Sequence, residues 1–448
     1  MEPLLALRAG TPGAVTTGAA TIGGRPVVMA RFDLAVRRGA LHPADGETLA
    51  HAAETALASR LPLVVTLASS GADVTEGLPS VHGWGVAARR MTACSGVVPI
   101  VIAVIGPAVS GPALLLGLAD QVVMTEEAYA FLSGPSMVKS FTGVAIDKEE
   151  LGGAVVHDRW TGLAALVVAD EAGARESVEH ILSYLPAHAD EMPPEWPTDD
   201  PVDRMLPEVA GLIPDMASGG YDVRDVARAI VDDGDLLELR ARWAPNLVTG
   251  LATIGGRPVG VVANQPLAIA GTLDIPASQK GAAFVNFCDS FNLPLLTLVD
   301  TPGFYPGKDL EWRGMIRHGA QLAFAYARAT VPRVAVALRK AYGGAYIVMD
   351  SRYMGNDYYV AWPTAEIAVM GAKGAVEILH RQADPDARAA LVSDYEERLL
   401  NPYVAAERGS VDAIIDPADT RREVAAAFDL LASKQEKLPP RRHDNTPL

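Results

Sequence analysis

Cysteine is scarce in this sequence of 448 residues, and its histidines follow no pattern. The two cysteines, Cys94 and Cys288, are too few for a disulfide framework or a cysteine-ligated metal cluster. The nine histidines show no spacing typical of a metal site. The first residues, MEPLLALRAG, lack the basic start and long apolar core of a signal peptide. The sequence therefore predicts no metal and a cytoplasmic, reducing location.

Basic residues are also in the minority. Lysine and arginine total 38 against 54 aspartates and glutamates, which gives a net charge of −16 at pH 7. This charge disfavours nucleic acids and anionic membrane surfaces as main partners, because both repel an acidic protein. Small polyanionic ligands are not excluded, since a local basic pocket can lie on an acidic surface.

One stretch, residues 96–119, has no charge over 24 positions and is long enough to cross a bilayer. Three prolines divide it into a β-branched run, a turn and a leucine-rich run. This pattern predicts a buried strand, a tight turn and a buried helix. Its counterpart in the second half of the chain carries Arg333, Arg339 and Lys340, which argues against a membrane span.

The sequence contains an internal repeat. The phrase ATIGGRPV occurs at residues 20–27 and again at 252–259, an offset of 232. The same offset aligns LPLVVTLASSGA with LPLLTLVDTPGF, and an offset of 233 aligns VPIVIAVIGPAVSGPALLLG with VPRVAVALRKAYGGAYIVMD. Three blocks in register predict a duplicated domain, with a boundary in the proline- and aspartate-rich stretch 186–221. We predict domains at residues 1–215 and 216–448.

Both halves have the pattern of α/β domains. Runs rich in valine and isoleucine alternate with alanine-rich stretches. TIGGRPVVMA has the Gly-Gly turn of a β-hairpin, and ETLAHAAETALASR has the periodicity of a helix that leads into the strand LPLVVTLA. We predict βαβ units with helices packed on a largely buried sheet.

Glycine-rich turns between strands and helices are the candidate sites of chemistry. In RKAYGGAYIVMD, Gly343 and Gly344 separate a predicted strand from a helix, whose first amides can bind an oxyanion. Two such amides suit enolate or tetrahedral chemistry at a thioester or a urea. VDTPGFYPG also has glycines at a strand end. Packing is the better explanation for any single pair of glycines, but matching turns in both halves favour function.

Two other motifs are incomplete. GPSMVKS resembles a phosphate-binding loop, but Val138 precedes the lysine where that loop requires glycine. Ser110 lies on a strand-to-helix turn like a hydrolase nucleophile, within AVSGP rather than G-x-S-x-G. No histidine or aspartate is placed by the sequence to activate it. A serine hydrolase is therefore a minor alternative.

These residues also resemble a known family. From about residue 67 to its end, the chain is similar to the carboxyltransferase β subunits of biotin-dependent acyl-CoA carboxylases, of the propionyl-CoA and acetyl-CoA carboxylase type. The first half matches loosely, through TEG, FLSGPSMVKS and LGGAVVH. The second half matches through GVVANQP, GTLDIPAS, FVNFCDSFNLP, DTPGFYPG, IRHGAQLAFAYA, ATVPRVAV, RKAYGGAYIVM, AWPTAEIAVMGAKGA and RRHDNTPL.

The resemblance implies two duplicated crotonase-like ββα-superhelix domains per chain, in a homo- or hetero-hexamer. It implies an enzyme that moves a carboxyl group from carboxybiotin, on a carrier protein, to the α-carbon of an acyl-CoA. The first domain of one chain would hold the acyl-CoA, and the second domain of its partner would receive the biotin. ATP and Mg²⁺ would belong to a separate biotin carboxylase and carrier α subunit, so this half-reaction needs no metal.

The resemblance also implies the residues of the site. Gly344 and Ala345 match the amide pair of the second domain, and Ser110 and Gly111 match that of the first. Ile347 matches a position associated with acyl-chain selection. The implied substrate-binding residues are Ser70, Gly71, Ala72, Arg37, Arg38, Tyr342, Gly343, Ile347, Gly303 and Phe304.

The first half departs from the family pattern. Ser70 replaces a glycine, Asp73 replaces an arginine near the CoA, and Pro112 has no amide hydrogen to donate. We expect Asp73 to repel the phosphates of CoA. Arg37 and Arg38 either supply phosphate contacts or form an exposed surface pair. The alternatives to an active carboxyltransferase are a non-catalytic or partner β subunit, and a biotin-dependent decarboxylase or transcarboxylase.

Overall fold

The computed structural model shows two compact units of mixed α/β structure. The described residues are 5–8, 13–214, 216 and 219–447. Within these ranges, no helix is both long enough and apolar enough to cross a membrane. The uncharged run at 96–119 contains a buried strand, Ile100–Val109, followed by a short helix, Gly111–Leu115, as its pattern predicts.

The chain passes from one compact unit to the other between Pro194 and Glu195. The predicted boundary falls at residue 215, which lies outside the described residues. Leu206 and Val209 pack in the hydrophobic core of the second unit, so the segment before residue 215 belongs with that unit. In full, the first unit is the chain up to Pro194 with Arg240–Trp243, and the second is Glu195–Leu239 with the chain from Ala244 onward.

The first unit alternates strands and helices. Its strands are β1 (Leu5–Leu7), β2 (Val15–Ile22), β3 (Arg25–Phe32), β4 (Leu63–Ser69), β5 (Ile100–Val109), β6 (Gln121–Thr125), β7 (Tyr129–Phe131) and β8 (Leu166–Val168). Its helices are α1 (Pro43–Ser59), α2 (Leu78–Cys94), α3 (Gly111–Leu115), α4 (Pro135–Thr142), α5 (Lys148–Gly152), α6 (Ala154–Val156) and α7 (Glu171–Ser183). Pro43 starts α1, and the side chains of His42 and Asp45 cap it reciprocally.

The second unit repeats this alternation. Its strands are β9 (Leu237–Glu238), β10 (Leu247–Ile254), β11 (Arg257–Asn264), β12 (Leu295–Thr301), β13 (Arg333–Tyr342), β14 (Tyr358–Ala361), β15 (Glu366–Ala368) and β16 (Ala413–Ile414). Its helices are α8 (Val223–Ile230), α9 (Ile275–Ser290), α10 (Lys308–Trp312), α11 (Met315–Arg328), α12 (Gly343–Val348), α13 (Ala372–Leu379), α14 (Pro385–Tyr395), α15 (Pro402–Glu407) and α16 (Thr420–Leu431). Asp274 caps α9 by accepting from the amide of Ala277 at 3.0 Å.

Each unit has a sheet that, over the described residues, contains eight strands. The order in the first unit is β1-β2-β3-β4-β5-β6-β8, with β7 beside β5. The order in the second is β9-β10-β11-β12-β13-β14-β16, with β15 beside β13. The first two pairs of each sheet are antiparallel and the others are parallel. The identical topology confirms the predicted duplication.

The repeated phrase ATIGGRPV forms the same β-hairpin in both units. Ala20 pairs with Val27 in the first unit, and Ala252 pairs with Val259 in the second. Both turn glycines have a positive φ in each copy, which a two-residue hairpin turn of this type requires. Glycine adopts this conformation without steric strain. Both units therefore contain this phrase because the same hairpin turn requires two glycines in each.

Hydrophobic cores form between the sheets and the helices. In the first unit, α1 and α2 pack on each other and on one face of the sheet. In the second unit, α9 packs on α11, while α8 and α16 cover apolar residues of the sheet. Both cysteines are buried, and burial raises the pKa of the Cys94 thiol to about 11. Cys94 is therefore protonated at neutral pH and contributes to packing.

The strand pairs that lead to the candidate turns end in a distortion. The register of β4 and β5 shifts between Leu67 and Ser69, and that of β12 and β13 shifts between Val299 and Thr301. These positions correspond under the offset of 232 found in the sequence. Such irregularities re-aim the chain at a strand end. Both units therefore direct their turns in the same way.

A loop crosses each of these strand ends at very short range. A Cβ atom at Gly39 would lie 2.1 Å from the carbonyl oxygen of Ala68, and one at Gly271 would lie 2.5 Å from that of Asp300. The two glycines have φ values of 68° and 70°. Only glycine satisfies both the space and the backbone conformation.

We predict that Gly39→Ala destabilises the first unit more than Gly24→Ala does. Both glycines have a positive φ, so each substitution strains the backbone by roughly 1–2 kcal/mol. Gly24 has open space around its Cβ position, whereas Gly39 faces the Ala68 carbonyl. Overpacking should add about 1–3 kcal/mol to the loss at Gly39. Urea unfolding of the two variants measures the difference, and equal losses would contradict the steric argument.

Candidate active site

The turn after β13 presents unpaired backbone amides. β13 ends at Tyr342, and α12 begins at Gly343 with a φ of 59°. Gly344 and Ala345 follow in the first turn of α12, where amides have no acceptor within the helix. None of the described residues outside the helix accepts a hydrogen bond from these two amides. Gly344 is exposed and offers its amide to a ligand, whereas Ala345 is fully buried.

A second turn, which follows β12, packs against the first. Gly303 has a φ of 143°, and the ring of Phe304 lies 3.5 Å from the position of a Cβ atom on Gly344. Leu273 fixes this turn by donating its amide to the Gly303 carbonyl at 3.1 Å and accepting from the Tyr305 amide at 2.9 Å. The motifs DTPGF and YGGAY are thereby brought together at one edge of the sheet.

A buried ion pair joins the two strands beneath these turns. The side chain of Arg339 donates to the Asp300 carboxylate at 3.1 Å, and the same carboxylate accepts from the amide of Lys340 at 3.1 Å. Burial raises the pKa of Asp300, and the positive charge of Arg339 opposes that rise. The sequence analysis missed this pair because its members are 39 positions apart. The sequence did contain a signal for this pair, because Asp300 and Arg339 each lie within a strand made mostly of apolar residues.

Tyr342, a predicted substrate-binding residue, is held by other parts of the unit. Its hydroxyl donates to the carboxylate of Glu366, and its ring packs with Ala372 and Leu400 in a small core. Burial, together with the hydrogen bond to Glu366, raises the pKa of Tyr342. The side chain thus anchors the end of β13 to the helices that follow β15. A direct ligand contact at Tyr342 stays a prediction.

Two cavities border the first turn of α12. One, of about 470 Å³, is lined by residues of α12, β15 and α15. The other, of about 450 Å³, lies between α12 and α11 and includes Phe304. Both are mostly apolar, and both include Gly344 and Ile347. Apolar walls with a few polar groups are typical of small-molecule sites.

The corresponding turn of the first unit offers fewer donors. Ser110 follows β5 with a φ of 62°, as Gly343 follows β13 with a φ of 59°. The Ser110 amide already donates to the carbonyl of Phe131 at 2.9 Å, and Pro112 has no amide hydrogen. Among Ser110, Gly111 and Pro112, only Gly111 has an amide without an acceptor, and this residue is buried.

The register of the two units matches these turns residue by residue. Because Ser110 corresponds to Gly343, Gly111 corresponds to Gly344 and Pro112 to Ala345. A Cβ atom at Gly111 would lie 2.4 Å from the indole ring of Trp84, so this ring covers Gly111 closely. An aromatic side chain therefore packs on the equivalent glycine in both units.

The loop after β4 lies beside the Ser110 turn. Gly71 has a φ of 106°, and a Cβ atom there would be 3.7 Å from the side chain of Ser110. The Gly71 carbonyl accepts from the amide of Leu41 at 2.8 Å, and Ala72 forms an isolated bridge with Leu41. Ser70 precedes this bridge at the same strand end. The predicted residues 70–72 and 110–111 are thus neighbours.

Arg37 and Arg38 differ from each other in their surroundings. Arg37 forms ion pairs with Asp45 at 3.3 Å and with Asp73 at 3.4 Å. Arg38 has an exposed side chain, and its carbonyl accepts from the amide of Ser70 at 3.3 Å. Both side chains are exposed, and Arg37 also pairs with two buried carboxylates, so an exposed surface pair describes their position. Phosphate contacts of these arginines stay a prediction.

Asp73 shapes its loop and has a compensated charge. Its carboxylate accepts from the amide and the hydroxyl of Thr75 at 3.0 and 2.6 Å. Its carbonyl accepts from the hydroxyl of Ser80 at 2.7 Å. The hydrogen bonds from Thr75 lower the pKa of Asp73, and the charge of Arg37 adds to this effect. Arg37 reduces the expected repulsion of CoA phosphates only in part, because it is shared between Asp73 and Asp45.

We predict that Asp73→Arg lowers the thermal stability of the first unit and leaves acyl-CoA binding no tighter. The new guanidinium would face Arg37, and Thr75 would lose its acceptor. Asp73→Asn keeps an acceptor of the same size and should be milder. Thermal unfolding and calorimetric titration with propionyl-CoA measure both effects. Tighter binding by Asp73→Arg at unchanged stability would overturn this interpretation.

Comparison with known proteins places the chain in a family. A family model described as the carboxyl transferase domain matches residues 6–446. The propionyl-CoA carboxylase beta chain of Roseobacter denitrificans is 43% identical over 437 residues, which cover 97% of this chain and 86% of that protein. The methylmalonyl-CoA decarboxylase subunit alpha of Propionigenium modestum is 39% identical over 441 residues, covering 97% and 85%.

The fold has a solved counterpart. The crystal structure of transcarboxylase 12S, a hexamer with methylmalonyl-coenzyme A and methylmalonic acid bound, matches with a TM-score of 0.95 and 44% identity. The match covers 97% of this chain and 85% of that one. Its fold is crotonase-like, as is that of each unit described above. The chain therefore belongs to the carboxyl transferase family.

Proposed function

We propose that this chain transfers a carboxyl group from carboxybiotin, held on the carrier domain of a partner subunit, to the α-carbon of an acyl-CoA. The observation that carries the proposal is the pair of amides at Gly344 and Ala345, which have no acceptor; the first of these residues lines two largely apolar cavities. Membership of the carboxyl transferase family supports the same reaction class.

The amide pair suits the charge that this reaction develops. The reaction develops negative charge on two oxygens, which we assign to the two units: the enolate oxygen of the acyl thioester to the first unit, and the ureido oxygen of biotin to the second. Two fixed amides stabilise that charge strongly, because an apolar cavity excludes the water that would screen it. The first turn of α12 adds a partial positive charge of its own. In this proposal the chain aligns the reactants and stabilises charge.

The second unit fits the biotin side of the reaction. When the partner's carboxylated biotin is bound, it supplies the carboxyl group. Its ureido oxygen is a hydrogen-bond acceptor, which matches the amides of Gly344 and Ala345. Gly344 has no side chain, and a Cβ atom there would occupy space beside the ring of Phe304. We therefore assign Gly303, Phe304, Gly344 and Ala345 to the biotin-binding region.

The first unit fits the acyl-CoA side with a reduced set of donors. We assign the acyl-CoA to the region of residues 70–72 and Gly111. The Ser110 amide already donates to the carbonyl of Phe131, so Gly111 supplies the single remaining amide in this region. Loss of one oxyanion donor typically weakens stabilisation by about 2.7–4 kcal/mol. This observation favours a second candidate, a partner subunit that acts together with another β subunit.

A transfer assay tests the proposal. The purified chain is mixed with carboxylated carrier protein and a panel of acyl-CoA esters, with and without a second β subunit. Transfer by the chain alone supports the proposed enzyme, and transfer only with the second subunit supports the partner role. Absence of transfer in both arms contradicts both. We also propose a cytoplasmic hexamer with a biotin carboxylase and carrier subunit, so light scattering should give a mass well above the 47.2 kDa of one chain.

We predict that Ala345→Pro lowers turnover about a hundred- to a thousandfold, because it removes one oxyanion donor. Ala345→Gly is the matched control, since it keeps the amide hydrogen and should retain most activity. Ala345 is fully buried, so circular dichroism and thermal unfolding must show that both variants fold. Near-normal turnover of a folded Ala345→Pro variant would place the chemistry elsewhere.

A further inference from the structure

The cavity between α12, β15 and α15 has a polar rim. Its walls are mostly aliphatic and aromatic, and the rim includes Arg408 and Ser410. Arg408 is the single charged side chain among the described residues that line this cavity. The cavity on the other side of α12 has Glu311 as its charged residue. The two cavities therefore differ in the sign of the charge that they present.

Arg408 is not neutralised by a neighbour. Its side chain is exposed, and within the described part of the chain it forms no ion pair. Other arginines nearby are paired: Arg398 contacts Asp394 at 2.9 Å, and Arg352 contacts Asp412 at 3.3 Å. Although the chain has a net charge of −16, this apolar cavity therefore presents an unpaired positive charge.

The backbone fixes both rim residues in place. α15 ends before Arg408, and Gly409 continues the turn with a φ of 74°. The amide of Ser410 donates to the carbonyl of Ala405 at 2.9 Å, which closes the helix end. The hydroxyl of Ser410 lies 3.3 Å from that of Tyr353. The rim is thus built by a capped helix end.

We infer that Arg408 and Ser410 form an anion subsite, which binds an oxyanion group of the ligand that enters this cavity. The inference rests on the proposed function. Two groups have this chemistry: the carboxylate of a carboxylated acyl thioester, whose α-carbon must meet the biotin for the carboxyl group to be exchanged, and a phosphate of the same CoA ester. A guanidinium binds either through paired N–H donors, and the serine hydroxyl adds a further donor. Gly344 also lines this cavity, so the subsite and the amide-bearing turn border the same space.

Replacement of Arg408 tests the subsite. We expect Arg408→Ala to raise the Michaelis constant of the anionic ligand roughly ten- to a hundredfold, the loss expected for a hydrogen bond to a charged group. Turnover at saturation should change little, and added salt should shrink the difference. Arg398→Ala is the matched control, because it removes the same charge from a neighbouring segment outside the cavity. Arg408→Lys should recover part of the affinity.

Three ligands identify the anionic group. Methylmalonyl-CoA has both carboxylate and phosphates, propionyl-CoA has only the phosphates, and propionyl-pantetheine has neither. A defect of Arg408→Ala confined to methylmalonyl-CoA identifies the carboxylate. A defect with both CoA esters that is absent with propionyl-pantetheine identifies the phosphate. Equal behaviour of Arg408→Ala and Arg398→Ala with all three ligands overturns the subsite.

A binding measurement separates this inference from the proposed function. Calorimetric titration of the wild-type chain and the Arg408→Ala variant with the same ligands requires no turnover. Weaker binding by the variant supports the subsite even when the wild-type chain fails to transfer carboxyl groups. Transfer by the wild-type chain with unchanged affinity in the variant supports the proposed function and overturns the subsite.

Discussion

The close approach of two backbone segments determines where the candidate turns lie. At Gly39 in one unit and Gly271 in the other, a loop passes so near the end of a strand that a single Cβ atom would collide with a carbonyl oxygen. The register shifts that end β4–β5 and β12–β13 lie at these crossings. Moving either loop outward would displace the strand end and the turn that follows it. The steric limit at two glycines therefore positions the turns after β4 and β12, which lie against the donor-bearing turns of the two units.

The two units share this framework but differ in what it presents. In the second unit, two amides stay unpaired, and the buried pair of Asp300 and Arg339 braces the strands below them. In the first unit, a hydrogen bond to Phe131 and a proline leave one amide. Duplicated sheets thus support unequal chemistry, because oxyanion binding depends on individual N–H groups and not on the fold.

Local charge differs from overall charge in this chain. The first-unit loop neutralises Arg37 with two carboxylates, whereas the second-unit cavity leaves Arg408 unpaired. Beyond about 10 Å, salt at physiological concentration largely screens exposed charges. A ligand within the cavity therefore experiences Arg408 far more than the surplus of acidic residues elsewhere. An acidic protein can bind an anion at such a place.

Features that depend on neighbouring residues or on the repeat could be predicted from the sequence. The Gly-Gly hairpin, the α/β alternation, the duplication and the strand–turn–helix around Gly343 were all predictable, because local propensity and hydrophobic pattern fix them. Which donors and charges stay unpaired depends instead on tertiary contacts. The bond from Ser110 to Phe131, the pairing of Arg37 with Asp73, and the place of Arg408 on a cavity join residues far apart in the chain. Such contacts leave no periodic signal, so the availability of a donor or a charge emerges only after folding.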